Sequence, residues 1–305
     1  MTTFVTTILR GLMTALGSIP LKVHYALSPF IAWLARCVFR YRLSVVRDNI
    51  RQAFLDKTPA EINGIVKDFY RHFADIVVET LWFGACHNPR RLLRQNLVTV
   101  SNPEFVEQLS QGGKSVITLL GHCGNWELLG GFIQYCGHGT TLREENVCVV
   151  HKQLDNKVWD SIMALNRTAP MAVKPFPGYV ETRQLVRYVY EHISQRKFYF
   201  IITDQRPYFK SPANIEISFM GRKCKTMTGG AALARKFAMP VCYLRMERQG
   251  RGRYVISYVP ICEDASKVDV RTIMERYYSL LEEDLRKDPA NYLWTHKRWK
   301  WAKRG

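Results

Sequence analysis

The sequence predicts an α/β protein: a mostly parallel central sheet flanked by helices, with an N-terminal helical segment that serves as a membrane anchor. Three observations carry this. From residue 115 onward, short apolar runs alternate with stretches of helical periodicity. The 305 residues are 47% hydrophobic and 23% charged, enough apolar material to build a large core without staples. The first 39 residues are apolar but interrupted by single cations and prolines.

Uncharged stretches cover residues 1–9, 11–21 and 23–35, separated by Arg10, Lys22 and Arg36 and broken by Pro20 and Pro29. A spanning helix needs about 20 predominantly apolar residues, and none of these stretches is that long. A cleavable signal has a basic start, whereas the first nine residues contain no Lys or Arg. The expectation is a monotopic or single N-terminal anchor, residues 1–39, lying in one leaflet. The competing reading is a buried helical hairpin with a solvated basic edge. Residues 1–55 contain Arg10, Lys22, Arg36, Arg40, Arg42, Arg47 and Arg51 against one acid, Asp48. Each such cation is worth about 1 kcal/mol beside an anionic leaflet.

Over the whole chain, 44 Lys and Arg face 26 Asp and Glu, a net charge of +18. That excess implies polyanionic company: nucleic acid, an acidic membrane surface or a phosphorylated substrate. The eight cysteines are scattered with no C-x-x-C pair, which argues against a zinc ribbon and a disulfide framework and for reduced, mostly buried thiols.

Thr58-Pro59-Ala60-Glu61 is a capping box with proline at the first helical position. Ile62, Ile65, Val66, Phe69, Phe73, Ile76, Val77 and Leu81 follow at three- and four-residue steps, a helix ending near Gly84. Beyond it, 115–120 reads as a buried strand and 125–136 as a helix. Strand 147–150, helix 155–167, helix 181–194 and strand 198–203 follow. Helix 228–238, strands 240–246 and 254–260, and helix 269–286 complete the alternation. No linker divides residues 40–305, which are expected to form one domain.

Gly121-His122-Cys123-Gly124-Asn125-Trp126-Glu127 falls where a strand ends and a helix begins. Open α/β sheets place their sites beyond the carboxyl ends of strands. A histidine followed five residues later by a carboxylate is a general-base unit: the imidazole is largely neutral at pH 7, and the carboxylate fixes its tautomer. No serine adjoins His122, and Cys123 is directed away if the turn is tight. Direct proton abstraction from a substrate hydroxyl is therefore expected. Asp204 and Gln205 also follow a strand, with a supporting role at the site and plain turn chemistry both open. Arg167 suits either a phosphate or a helix C-terminus. Thr226, Thr228 and Gly229 suit anion binding or capping.

The stretch G-H-C-G-N-W-E resembles the H-x-G-N-W-E signature of bacterial lipid A late acyltransferases, within the lysophospholipid acyltransferase superfamily and its H-x4-[DE] motif. His151-Lys152-Gln153-Leu154-Asp155-Asn156, with Arg167 beyond it, is similar to that family's second block, although an arginine and a proline commonly stand where this chain has His151 and Lys152. Thr203-Asp204-Gln205 resembles the D-Q block. Phe219-Met220-Gly221 with Thr226, Thr228 and Gly229 resembles the F-G…T-x-x-G block, and 292–300 resembles the closing Y-L-W-x-H-x-R-W-K.

The resemblance implies a glycerol-3-phosphate/lysophospholipid acyltransferase-like fold over residues 40–305. It implies transfer of a fatty acyl chain from acyl carrier protein to a hydroxyl of a phosphorylated lipid A precursor, at the cytoplasmic face of the bacterial inner membrane. His122 would act as base and Glu127 would orient it. Lys152, Arg167, Asp204, Gln205 and Thr226 are the expected substrate-binding residues. No metal and no cofactor are implied. The alternative acceptor is a lysophospholipid or an aminolipid. Two other classes compete. A metal-dependent hydrolase using His122, His151 and Asp204 lacks a tight ligand pair such as H-E-x-x-H. A nucleic-acid binder would use Trp294, Trp299 and Trp301 among the tail cations, but no nucleic-acid motif is present and a membrane interface suits those residues equally.

Overall fold

The computed structural model describes residues 2–137, 140–207 and 214–299. Its centre is a seven-stranded sheet in the order β1 (Val98–Val100), β9 (Arg253–Cys262), β8 (Val241–Gly250), β2 (Val116–Leu120), β5 (Phe198–Ile202), β3 (Val147–His151) and β4 (Tyr179–Glu181). Every neighbouring pair is parallel except the β8–β9 hairpin. A separate antiparallel pair joins β6 (Glu216–Phe219) to β7 (Arg222–Lys225). The mixed α/β class with a mostly parallel sheet is as the sequence predicts.

Strands β2, β5 and the first four residues of β8 carry no charged side chain and are almost wholly buried, because helices cover both faces of the sheet. All five residues of β2 are buried. Alternate residues feed two cores: Ile117, Leu119, Tyr199, Ile201 and Tyr243 enter one, and Val116, Leu120, Phe198, Phe200 and Leu244 enter the other. The first is covered by α3 (Leu43–Ala53), α9 (Leu185–Glu191), α10 (Gly229–Lys236) and α11 (Val270–Lys287). The second lies under α5 (Pro89–Gln95), α6 (Glu104–Leu109) and α7 (Phe132–Cys136).

The 25-residue α4 (Pro59–Phe83) starts at the expected capping box: Thr58 Oγ1 accepts from Glu61 N at 3.3 Å, and Glu61 accepts from Thr58 N at 2.8 Å. Its first half packs Val66 and Phe69 into one core and its end packs Trp82 and Phe83 into the other.

The N-terminal segment folds as α1 (Thr2–Ser18) and α2 (Leu21–Trp33), the latter running on through a wider turn to Val38. Among the described residues no single helix is long and apolar enough to cross a membrane; this pair meets at 108°. Nor does the segment stand apart from the rest of the chain. Leu21 and Ala32 are buried, Ser28 donates to Asp75 at 2.5 Å, and Tyr25 donates to Glu79 at 2.7 Å, both acceptors on α4. The opposite side exposes Phe4, Ile8, Leu12 and Leu16 on α1 and Val23, Leu27, Phe30 and Trp33 on α2.

Several elements differ from expectation. Residues 126–131 form a tight 3-10 coil, and only Phe132–Cys136 (α7) is α-helical. Close packing favours the tighter coil: a Cβ on Gly130 would lie 1.8 Å from the carbonyl oxygen of Arg167. Glu181 ends strand β4, so the helix expected over 181–194 is only Leu185–Glu191. Strands β1, β4, β6 and β7 have three or four residues each, too few to show a period. In the tail, Trp294 and Trp299 are core residues at 1% and 6% exposure, so they serve neither a membrane nor a nucleic-acid surface. Trp301 and its cations Lys300, Lys303 and Arg304 lie outside the described residues.

Candidate active site

Strands β2 and β5 are parallel neighbours with Leu120 opposite Ile202. Each chain therefore leaves the sheet at the same level, and the second residue beyond each strand is His122 on one side and Asp204 on the other. The Thr203 N–H donates to the Leu120 carbonyl at 2.9 Å and keeps the two exits together. His122 Nδ1 lies 2.7 Å from Asp204 Oδ1.

Electrostatics fixes the proton arrangement. Burial by itself would raise the Asp204 carboxyl, which is 1% exposed. The His122 ring, a hydrogen bond from the His122 backbone and another from Tyr292 outweigh burial and hold it below the ordinary carboxylate range. An ionised carboxylate only accepts, so Nδ1 is the donor in this bond and Nε2 is the ring nitrogen turned away from Asp204. Gln205 Nε2 sits 3.5 Å from that nitrogen.

The turn bearing His122 is held by the closing segment of the chain. Leu293 N donates to the His122 carbonyl at 3.1 Å, and Gly124 N reaches Asn291 through its side-chain oxygen at 3.0 Å. Gly124 has φ +62°, a conformation open to glycine at little cost. Cys123 is turned into the core, and burial pushes its thiol well above its usual range, so it presents no thiolate. Asn125 caps the coil by accepting from Glu127 N at 3.2 Å and donates to the buried Glu79 at 2.8 Å.

Glu127 does not make the contact with His122 that the spacing suggested. Its two oxygens take a fork from Arg167, with Nε at 2.6 Å and Nη2 at 2.7 Å, and a third bond from Trp126 Nε1 at 3.0 Å. Burial would raise its pKa, but Arg167 and Trp126 lower it overall. Arg167 closes α8 (Lys157–Arg167) and also donates to Tyr179 at 3.2 Å. The link from this ion pair to His122 runs through Trp126, whose ring meets the imidazole edge-on at 5.1 Å. Five residues along a sharp turn and a 3-10 coil do not return a side chain to its start as an α-helix would after four.

A cavity of about 760 Å³ opens over His122. His122, Trp126, Glu127, Lys152, Arg167, Gln205 and Arg206 give its polar wall, and His151 and His296 also line it. Leu129, Phe132, Val147, Val149, Met171, Phe176 and Phe200 line an apolar extension along one face of the sheet. Of the expected substrate-binding residues, Lys152, Arg167 and Gln205 reach this cavity. Asp204 lies beneath it as the partner of His122. Thr226 is behind the wall, fully buried and bonded to Tyr278 at 3.0 Å, so it cannot touch a substrate there. Thr228 stands at the first turn of α10 without a side-chain capping bond. His151 stacks on Tyr179 at 3.8 Å rather than joining His122. Among the described residues no cluster of three or more His, Cys, Asp or Glu is placed to hold a metal ion.

A sequence profile for bacterial lipid A biosynthesis acyltransferases matches residues 1–301. The chain belongs to that family. No curated protein matches it. In this lipid A acyltransferase family member, motifs far apart in sequence meet at one edge of the sheet: the first block supplies His122, the third its partner Asp204, and the closing block braces both through Tyr292 and Leu293, with Asn291 just before it holding the turn. Tyr292 and Leu293 were legible only as part of that block and Asn291 in none; nothing in their residue types signals a bracing role before the chain is folded.

Proposed function

We propose that the protein transfers a fatty acyl chain from acyl carrier protein to a hydroxyl of a lipid A precursor. The observation that carries this reading is the His122–Asp204 pair at the wall of a cavity lined by polar groups beside His122 and by Leu129, Phe132, Val147, Val149, Met171, Phe176 and Phe200 elsewhere.

The acceptor hydroxyl gives its proton to His122 Nε2 as its oxygen attacks the thioester carbonyl carbon. Asp204 stabilises the imidazolium that forms. Collapse of the tetrahedral intermediate breaks the C–S bond, and the imidazolium returns the proton to the departing thiolate. The products are an ester and a free thiol. A base so placed contributes on the order of 10²–10⁴ in rate. Glu127 serves by holding the Arg167 guanidinium at the cavity wall, where its positive charge favours a phosphorylated acceptor or the developing oxyanion. The apolar extension suits a hydrocarbon chain. The exposed apolar face of α1 and α2, flanked by cations, supports residence on the cytoplasmic face of the inner membrane, with an anionic surface as partner and residues 40–305 as the acyltransferase domain.

The test is a reconstituted reaction of purified protein with acylated carrier protein and a lipid A precursor, read by mass spectrometry. The expected product has gained one acyl chain, and His122→Ala makes none. Wild-type turnover by His122→Ala would overturn the mechanism; no transfer to any glycolipid hydroxyl would overturn the assignment.

A further inference from the structure

A second cavity, of about 660 Å³, lies away from the active site between α1 and α8. Arg10, Gly11 and Thr14 line it from α1, and Lys157 and Ser161 from α8. Among the described residues neither Arg10 nor Lys157 makes an ion pair: the nearest acid in sequence to Lys157 on its helix, Asp160, turns its carboxylate to the backbone N–H of Leu154 at 2.8 Å. Instead more cations gather near Arg10. Burial lowers the His87 pKa, and Lys174 and Arg10 lower it further. At Gly11 the groove has open space where a Cβ would stand, with nothing within 4 Å, so a longer side chain there can be accommodated.

We propose that this groove binds the headgroup phosphate of an anionic phospholipid. Two unpaired cations with hydroxyls beside them match the charge and the acceptor oxygens of a phosphodiester. The source is a lipid because of what α1 carries on its other face. Phe4, Ile8, Leu12 and Leu16 repeat at four-residue steps and are exposed, an apolar stripe on the side of α1 opposite Arg10 and Thr14. An interfacial helix with that stripe immersed carries its opposite, cationic face at headgroup depth, which is where Arg10 and the groove stand. The proposal deepens the membrane reading above and rests on it. Because α8 ends at Arg167, an occupied groove fastens to the bilayer the same helix that supplies the active-site guanidinium.

The full-length protein is tested by co-sedimentation with phosphatidylcholine vesicles and with vesicles that also contain phosphatidylglycerol. Wild type should prefer the anionic vesicles. Arg10→Gln combined with Lys157→Gln should cut that preference on the order of tenfold or more. Gly11→Gln, which fills the groove and changes no charge, should lose it as well, while both variants bind neutral vesicles like wild type. The control Arg47→Gln with Arg51→Gln should keep most of the preference. Retention of the preference by Gly11→Gln would show diffuse attraction only and overturn the site. Thermal stabilisation by inorganic phosphate that Gly11→Gln abolishes would make free phosphate the ligand and overturn the lipid assignment. Failure of wild type to bind any vesicle would overturn both this site and the membrane reading, while acyl transfer to a detergent-dispersed acceptor would still stand or fall separately.

Discussion

His122 and Asp204 stand at matching positions beyond two neighbouring parallel strands, and their side chains meet at 2.7 Å. The proposed base and its carboxylate partner thus come from segments 82 residues apart. Asp204→Asn removes the charge while keeping the shape, and it favours the wrong tautomer. We expect the rate of transfer to fall by about 10²–10⁴ with little change in substrate KM or in the circular dichroism of the fold. An Asp204→Asn enzyme within a few-fold of wild type would leave His122 without its partner in this scheme.

Glu127 is buried and Arg167, its partner, is 28% exposed at the cavity wall, so removing the arginine strands a buried carboxylate. Glu127→Gln and Arg167→Met should each destabilise the fold by about 3–5 kcal/mol, and the double variant by clearly less than the two together. Denaturant titration of the four proteins measures this. If Glu127 acts by holding Arg167, Glu127→Gln moves the pH profile of kcat less than Asp204→Asn does. A larger displacement would restore Glu127 as the orienting carboxylate.

Gly130 packs against the end of α8 with no room for a side chain. Because the obstacle is the Arg167 backbone and not a mobile side chain, Gly130→Ala must separate the 3-10 coil from α8. We expect a loss of several kcal/mol of stability together with loss of activity. Both readouts should move in the same variant, since the displaced residue carries the Glu127 partner.

Glu79 is fully buried beside the site turn. Burial raises its pKa, the hydrogen bonds from Asn125, Tyr25 and Tyr254 lower it, and the net result is about 7 against an ordinary 4.5. In that window the folded chain holds a proton that the unfolded chain has released. Stability therefore falls as pH rises from about 4.5 to about 7 and is level above, a loss of about 3 kcal/mol in all. Glu79→Gln cannot ionise, so its stability relative to wild type should climb through the same window. A difference that stays flat with pH would contradict the raised value.

Substituting Phe4, Ile8 and Leu12 with serine removes apolar surface without entering the core. Vesicle co-sedimentation should weaken strongly at unchanged thermal stability. Deleting residues 1–39 is a poorer test, because Leu21, Ser28 and Ala32 are buried against the rest of the chain and their removal uncovers apolar surface.

Local order was enough to determine much of this protein. Apolar runs and helical periodicity set the α/β class, and the capping box at Thr58 fixed the start of α4. The glycine-flanked turn placed His122 beyond a strand, because a buried parallel strand shows itself as a short apolar run with a break after it. Tertiary structure decided which carboxylate serves the histidine. Sequence spacing favoured Glu127, five residues away, whereas strand register delivered Asp204 from a separate segment and sent Glu127 to Arg167. It also turned Trp294 and Trp299 inward and hid Thr226 behind the cavity wall. The physical reason is that pairing between neighbouring strands and packing between helices act through space, so neither distance along the chain nor residue type reports them.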